Sequence, residues 1–271
     1  MNNIKAVMCD IDGTLLNSNG IVTPKTIEAI KKLREHGILF GISTGRDVGG
    51  VKGLLKNWKI DGLVDMIVGS NGGEIYDYAD DYYEMNHPLP GSLIAEIIDH
   101  FKDMDVNFAI HGGNGIMYTP KDDDLIKSLS ESDHLPYEVI DFDEYLKQDR
   151  LKLLITCAPE TMPAVIERSK SFHNEKFKSA CLQTTKLLFE FMDPRISKAF
   201  GLKKIMERRG FTMENLCSFG DADNDYEMTL HAGVGVVMEN GSEKTKSVAD
   251  YVTLDNDHDG IGCFIEKYLL D

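Results

Sequence analysis

The chain has 271 residues, 42% hydrophobic and 27% charged, an ordinary composition for a folded soluble protein able to bury one large or two modest cores. Its 45 acidic residues outnumber 29 basic ones, giving a net charge of −16, so nucleic acid and anionic membranes, which need a basic footprint, are not expected partners. Met1-Asn2-Asn3-Ile4-Lys5 shows no signal-peptide pattern, no apolar run approaches a membrane span, and five scattered cysteines without Cys-x-x-Cys spacing read as reduced thiols, so a cytoplasmic location is expected.

In chain order, Ile4–Cys9 reads as a short buried strand running into Asp10-Ile11-Asp12-Gly13-Thr14. Thr23 and Pro24 open a helix as N-cap and first residue, Ile27, Ile30 and Leu33 give it an apolar stripe, and Gly37 ends it. Ile38–Ile42 is a second strand ending at Ser43-Thr44-Gly45-Arg46, Val48–Leu55 a second helix, and Met66–Val68 a third strand ending at Ser70-Asn71-Gly72-Gly73. Such alternation predicts a parallel, right-handed sheet with helices on both faces.

The character then changes. Tyr76–Asn86 is acidic and tyrosine-rich, and reads as a linker or edge hairpin. Helix Leu93–Phe101, strands Val106–His111 and Ile116–Thr119, strand Leu151–Cys157, helix Thr161–Phe172 and strands Lys178–Gln183 and Leu187–Met192 follow. Strands joined by short turns and mixed with helices predict an α+β insert on an antiparallel sheet. From Ser197 the earlier rhythm returns, with helix Lys198–Arg209, strand Leu216–Phe219 ending at Gly220-Asp221-Ala222-Asp223-Asn224-Asp225, and strands Val234–Val237 and Tyr251–Leu254. The predicted organisation is a discontinuous α/β core, residues 1–83 and 194–271, interrupted by a second domain over residues 84–193.

Four strand or helix ends thus offer polar groups along one sheet edge: Asp10 with Asp12, Thr44 with Gly45 and Arg46, Lys198, and Asp221 with Asn224 and Asp225. Clustered carboxylates repel unless a cation lies between them or one keeps its proton. Here they suit a hard cation such as Mg2+, which prefers oxygen ligands. A Thr hydroxyl, backbone N–H groups and a lysine suit the oxygens of a phosphoryl group. An ionised carboxylate beside such a cation can act as a nucleophile.

This set resembles the haloacid dehalogenase-like phosphatase superfamily. Asp10-Ile11-Asp12-Gly13-Thr14 matches its first motif, Thr44-Gly45-Arg46 the second, Lys198 the third and Gly220-Asp221-Ala222-Asp223-Asn224-Asp225 the fourth. The third departs in one respect, since Ala199-Phe200-Gly201 follows the lysine where the family pattern has glycine directly. The insert's place between the second and third motifs looks like the Cof-type group. That resemblance implies a Rossmann-like doubly wound parallel-sheet core, an inserted α+β cap domain, and Mg2+-dependent hydrolysis of small-metabolite phosphomonoesters, such as sugar phosphates, flavin mononucleotide or pyridoxal phosphate. It implies Asp10 as nucleophile and Asp12 as acid and base. It implies metal ligation by Asp10, the Asp12 carbonyl and Asp221, phosphate contacts from Ile11, Thr44, Gly45, Lys198 and Asn224, and a supporting role for Asp225. A phosphomutase or phosphotransferase of the same superfamily and a non-catalytic phospholigand-binding protein are the alternatives. Outside these motifs, Arg46 reads as an ion-pair partner, Asn71-Gly72 as a turn, His111 as part of a hairpin, and Asp122-Asp123-Asp124 as a solvated face or helix start.

Overall fold

A computed structural model describes residues 3–270. They form two compact units, residues 3–84 with 197–270, and residues 85–196. In chain order the first unit opens with β1 (Ala6–Cys9), α1 (Pro24–Glu35), β2 (Leu39–Ser43), α2 (Val48–Leu54), β3 (Met66–Gly69), β4 (Glu74–Asp77) and β5 (Tyr82–Met85). The second unit carries α3 (Gly91–His100), β6 (Asn107–His111), β7 (Met117–Thr119), α4 (Asp124–Asp133), β8 (Tyr137–Val139), α5 (Phe142–Tyr145), β9 (Lys152–Thr156), α6 (Met162–Lys170), β10 (Ala180–Gln183) and β11 (Leu188–Met192). The first unit then resumes with α7 (Lys198–Arg208), β12 (Leu216–Gly220), α8 (Tyr226–His231), β13 (Val234–Met238), α9 (Glu243–Lys246), β14 (Tyr251–Thr253) and α10 (Gly260–Phe264).

Eight strands of the first unit form one sheet in the order β14-β13-β12-β1-β2-β3-β4-β5. The ladders from β14 to β3 are parallel, and β4 turns back antiparallel beside β3. The tyrosine-rich stretch after β3 is therefore sheet edge, not linker. Alternate residues of each strand feed opposite faces. On one face Val7, Cys9, Phe40, Ile42, Ile67 and Phe219 pack with Ile30 and Leu33 of α1 and Phe264 of α10. On the other, Ala6, Met8, Met66 and Val68 pack with Leu202, Ile205 and Met206 of α7. Each of those three α7 side chains is fully buried, contributing about 2 kcal/mol apiece. Two ion pairs fix the other end of α7: Arg209 Nη2 lies 2.6 Å from Asp77 Oδ1, and Arg208 Nε lies 3.6 Å from Asp77 Oδ2. The position of this helix matters because its first residue is Lys198.

The second unit has its own six-stranded sheet, in the order β10-β11-β9-β6-β7-β8. Phe108, Ile110, Leu153, Ile155, Phe189 and Phe191 line one face against α3 and α6, and Ala109, Met117, Leu154 and Leu188 meet Ile126 of α4 on the other. The ladders are antiparallel except between β7 and β8. Those two strands are joined through α4, and a helical crossover returns the chain in the same direction. Asp123 starts α4 by accepting from the Ile126 N–H at 2.9 Å, which resolves the acidic triplet as a helix start. His111 ends β6, with Nε2 3.6 Å from Asp133 Oδ2. No helix among the described residues is long and apolar enough to cross a membrane.

Candidate active site

Strands β12, β1 and β2 are parallel neighbours, so their carboxyl ends share one edge, the edge at which open α/β sheets bind ligands. Asp10 follows β1, Thr44 follows β2, and Asp221 follows β12. Lys198 begins α7, where the Ser197 hydroxyl caps the helix by accepting from the Phe200 N–H at 3.3 Å.

A buried ion cluster forms at this edge. The Lys198 ammonium donates to Asp10 Oδ1 at 2.7 Å and to Asp225 Oδ1 at 2.6 Å. Asp225 Oδ2 accepts from the backbone N–H groups of Asp221 and Ala222, both at 2.9 Å. Asp221 Oδ1 accepts from the Thr14 hydroxyl at 2.6 Å. Gly13 has φ +81°, and a Cβ there would lie 2.6 Å from Asp221 Oδ2. Only glycine both takes that turn and lets the backbone pass so close to the carboxylate.

The charges do not balance within the cluster. Burial would lower the pKa of Lys198, but the Asp10 and Asp225 carboxylates outweigh it and hold the ammonium firmly protonated. One ammonium cannot neutralise three carboxylates. Burial first, then Asp225 and Asp221, push Asp10 up to about 7 against the pull of Lys198. Asp221 is raised too, chiefly by burial, with the Thr14 hydrogen bond opposing. Surplus negative charge among buried and half-buried carboxylates is what a divalent cation relieves.

Asp10, Asp221 and Asp225 each offer a carboxylate oxygen within 4.8 Å of the others. Both oxygens of Asp225 are already engaged. Among the described residues, Asp10 Oδ2 makes no hydrogen bond, and Asp221 Oδ1 accepts from Thr14 alone. The donor set therefore fits a hard cation held by Asp10 and Asp221, with Asp225 fixing the lysine and the loop.

Asp12 lies outside that group of carboxylates. Its side chain is 61% exposed and grips Arg46, with Nε 3.1 Å from Oδ2 and Nη2 3.2 Å from Oδ1. Arg46 is thus an ion-pair partner. Thr44 is buried, and its hydroxyl accepts from the Arg46 N–H at 3.2 Å. Ile11 is fully buried between Asp10 and Asp12. Asn224 donates to Asn71 Oδ1 at 3.2 Å, and the Asn71 N–H donates to the Thr44 carbonyl at 2.9 Å. Two residues at this edge were not singled out for it by the sequence. Thr14 carried a signal, its place inside the first motif; Asn71 carried a weaker one, a turn after a strand end at the junction with the insert, near where a pocket was expected.

A doubly wound sheet thus gathers three aspartates and one buried lysine at its edge. The chain belongs to the haloacid dehalogenase-like hydrolase family, whose model matches residues 7–265. It is 28% identical over 263 residues to a 5-amino-6-(5-phospho-D-ribitylamino)uracil phosphatase from Bacillus subtilis, covering 97% of this chain and 96% of that protein. It is 25% identical over 273 residues to a pyridoxal phosphate phosphatase from Escherichia coli, covering 98% and 99%. A crystal structure of a haloacid dehalogenase-like hydrolase from Bacteroides thetaiotaomicron matches it with a TM-score of 0.88 at 26% identity, covering 97% of this chain and 99% of that one. The chain is accordingly an enzyme of the phosphatase type.

Proposed function

We propose that the protein is a Mg2+-dependent phosphatase that hydrolyses phosphomonoesters of small metabolites through an aspartyl-phosphate. The observation that carries this reading is Lys198, wholly buried and bonded to Asp10 on one side and Asp225 on the other, with Asp221 completing the carboxylate group. Uncharged substrates give such a site no purpose, whereas a phosphoryl dianion uses both the ammonium and a bound cation.

Asp10, Asp221 and the main-chain carbonyl of Asp12 would hold Mg2+, which when bound neutralises charge on the phosphoryl oxygens. Asp10 Oδ2, free of hydrogen bonds among the described residues, attacks phosphorus while Lys198 fixes Oδ1. Asp12 gives a proton to the departing ester oxygen as the ester P–O bond breaks. It then takes a proton from water, and the resulting hydroxide attacks the aspartyl-phosphate phosphorus, releasing phosphate and restoring the Asp10 carboxylate. The Ile11 and Gly45 N–H groups, Thr44, Lys198 and Asn224 contact the phosphoryl oxygens, and Asp225 keeps Lys198 in place. The phosphorylated metabolites named for the Bacillus and Escherichia relatives support a small phosphate ester as substrate. A cytoplasmic setting accords with cysteines that are all unpaired.

The test is phosphate release from p-nitrophenyl phosphate and a panel of metabolite phosphates, with Mg2+ and with EDTA, for the wild type and Asp10→Asn. Release that needs Mg2+ and disappears in Asp10→Asn is expected. Release unchanged in Asp10→Asn sinks the nucleophile assignment, and conversion of a sugar bisphosphate to a positional isomer without free phosphate replaces the hydrolase with a mutase.

A further inference from the structure

The turn after β3 is conformationally expensive, and its contacts converge on the proposed phosphate subsite. Three consecutive residues lie in the left-handed region: Ser70 at φ 50°, Asn71 at φ 55° and Gly72 at φ 102°. Asparagine tolerates that region, serine much less so. Such a run persists only where the surroundings over-determine it. Here the Ser70 N–H donates to the Arg46 carbonyl at 2.7 Å. The Ser70 hydroxyl donates to buried Glu74 at 2.7 Å, and Glu74 also accepts from the Val48 N–H at 3.2 Å and the Tyr83 hydroxyl at 2.8 Å.

Each contact of the turn reaches a different part of the subsite. The Asn71 N–H holds the Thr44 carbonyl. The Asn71 carboxamide oxygen holds the Asn224 amide. A Cβ on Gly45 would stand 3.4 Å from Asn71 Oδ1. A Cβ on Gly72 would stand 1.9 Å from the Ser197 carbonyl oxygen, so the turn is seated directly on the residue before Lys198. The Asn71 carboxamide oxygen is the acceptor opposite the Asn224 amide. A carboxylate there would add negative charge beside a bound phosphate, while an amide oxygen adds none.

We infer that Asn71 is a positioning residue for the phosphate subsite, aiming the Asn224 amide with its side chain and holding the Thr44–Gly45 backbone with its N–H. The inference rests on the phosphatase reading above and deepens it. Among the described residues Asn71 makes no hydrogen bond to Asp10 or Asp221, so its carboxamide is expected to act on phosphate binding and not on the carboxylates assigned to the cation.

The experiment compares the wild type, Asn71→Gly, Asn224→Ala and the double variant. Glycine keeps the left-handed backbone and its N–H while deleting the side chain that carries the carboxamide. The readouts are kcat and KM for p-nitrophenyl phosphate, binding of inorganic phosphate by calorimetry, and the thermal shift caused by Mg2+. Loss of one directed hydrogen bond is expected to raise KM and the phosphate Kd about tenfold in Asn71→Gly, with kcat changed less than about threefold. Asn224→Ala is expected to match it, and the double variant to be no more than about twofold worse than either single one. The Mg2+ shift is expected to equal that of the wild type. Unchanged phosphate affinity in Asn71→Gly, or fully multiplicative losses in the double variant, overturns the inference. A wild type that binds phosphate with the expected coupling but hydrolyses no ester overturns the phosphatase reading alone. One that neither binds phosphate nor turns over ester overturns both.

Discussion

At the scale of single residues, the cost of this site is concentrated in Asp10. Its ordinary value of 3.8 rises to about 7 in the fold because burial penalises the carboxylate more than Lys198 rewards it. A folded pKa above the unfolded one means that Asp10 contributes its full stability below about pH 4 and withdraws it as the pH climbs through about 7. Asp10→Asn keeps an acceptor for Lys198 without the buried charge. In EDTA at about pH 8, this variant is expected to melt at or above the wild-type temperature, while near pH 4 its advantage vanishes. The comparison is made by thermal unfolding across that range; a variant markedly less stable than the wild type at pH 8 would mean that Lys198 fully compensates the Asp10 carboxylate.

At the scale of elements, the loop after β1 must pass Asp221 at close quarters. Gly13→Ala puts a Cβ 2.6 Å from Asp221 Oδ2 at a φ of +81°. The side chain has to move, and with it one of the two carboxylates assigned to the cation. Mg2+ affinity is expected to fall roughly tenfold, from a strain of about 1–2 kcal/mol, read as the Mg2+ concentration for half-maximal activity. An unchanged Mg2+ requirement would remove Asp221 from the ligand set.

The strand ends were legible because buried parallel strands are unbroken apolar runs closed by polar turns: Ala6–Cys9, Leu39–Ser43 and Leu216–Gly220 all lie where the sequence puts them, give or take a residue or two. α1 was legible from Thr23 and Pro24, and the cap bond from the Thr26 N–H to Thr23 is present. Less was written in β4, whose four residues are all buried although two are acidic. Glu74 and Asp77 look like surface residues until their partners, Ser70, Tyr83 and Arg209, are brought in from elsewhere. The same holds for Asn71, whose partner Asn224 lies 153 positions away. Local patterns report propensity and periodicity, and long-range polar pairing leaves no such mark.

At the scale of the whole molecule, a net charge of −16 sets a long-range field that opposes any phosphate dianion. Lys198 and Arg46 attract it only at short range. Raising KCl toward about 0.15 M shortens the screening length to about 8 Å, which mutes the far field more than contacts inside the pocket. At saturating Mg2+, kcat/KM for p-nitrophenyl phosphate is expected to rise about twofold over that interval. A steady fall would show that the local cations, and not the overall charge, govern capture.

The order of the large sheet has a consequence for synthesis on the ribosome. β1 ends at Cys9, yet one of its two neighbours, β12, begins only at Leu216. Translation at roughly 5–20 residues per second leaves one flank of that strand bare for on the order of 10–40 s, about half of it while residues 85–196 are being made. Through that interval the newborn chain exposes an apolar strand edge of the kind that pairs with other chains. Chaperone demand should therefore track the time taken to translate the insert: slow codons across it would lower soluble yield, and the same codons after Gly220 would not.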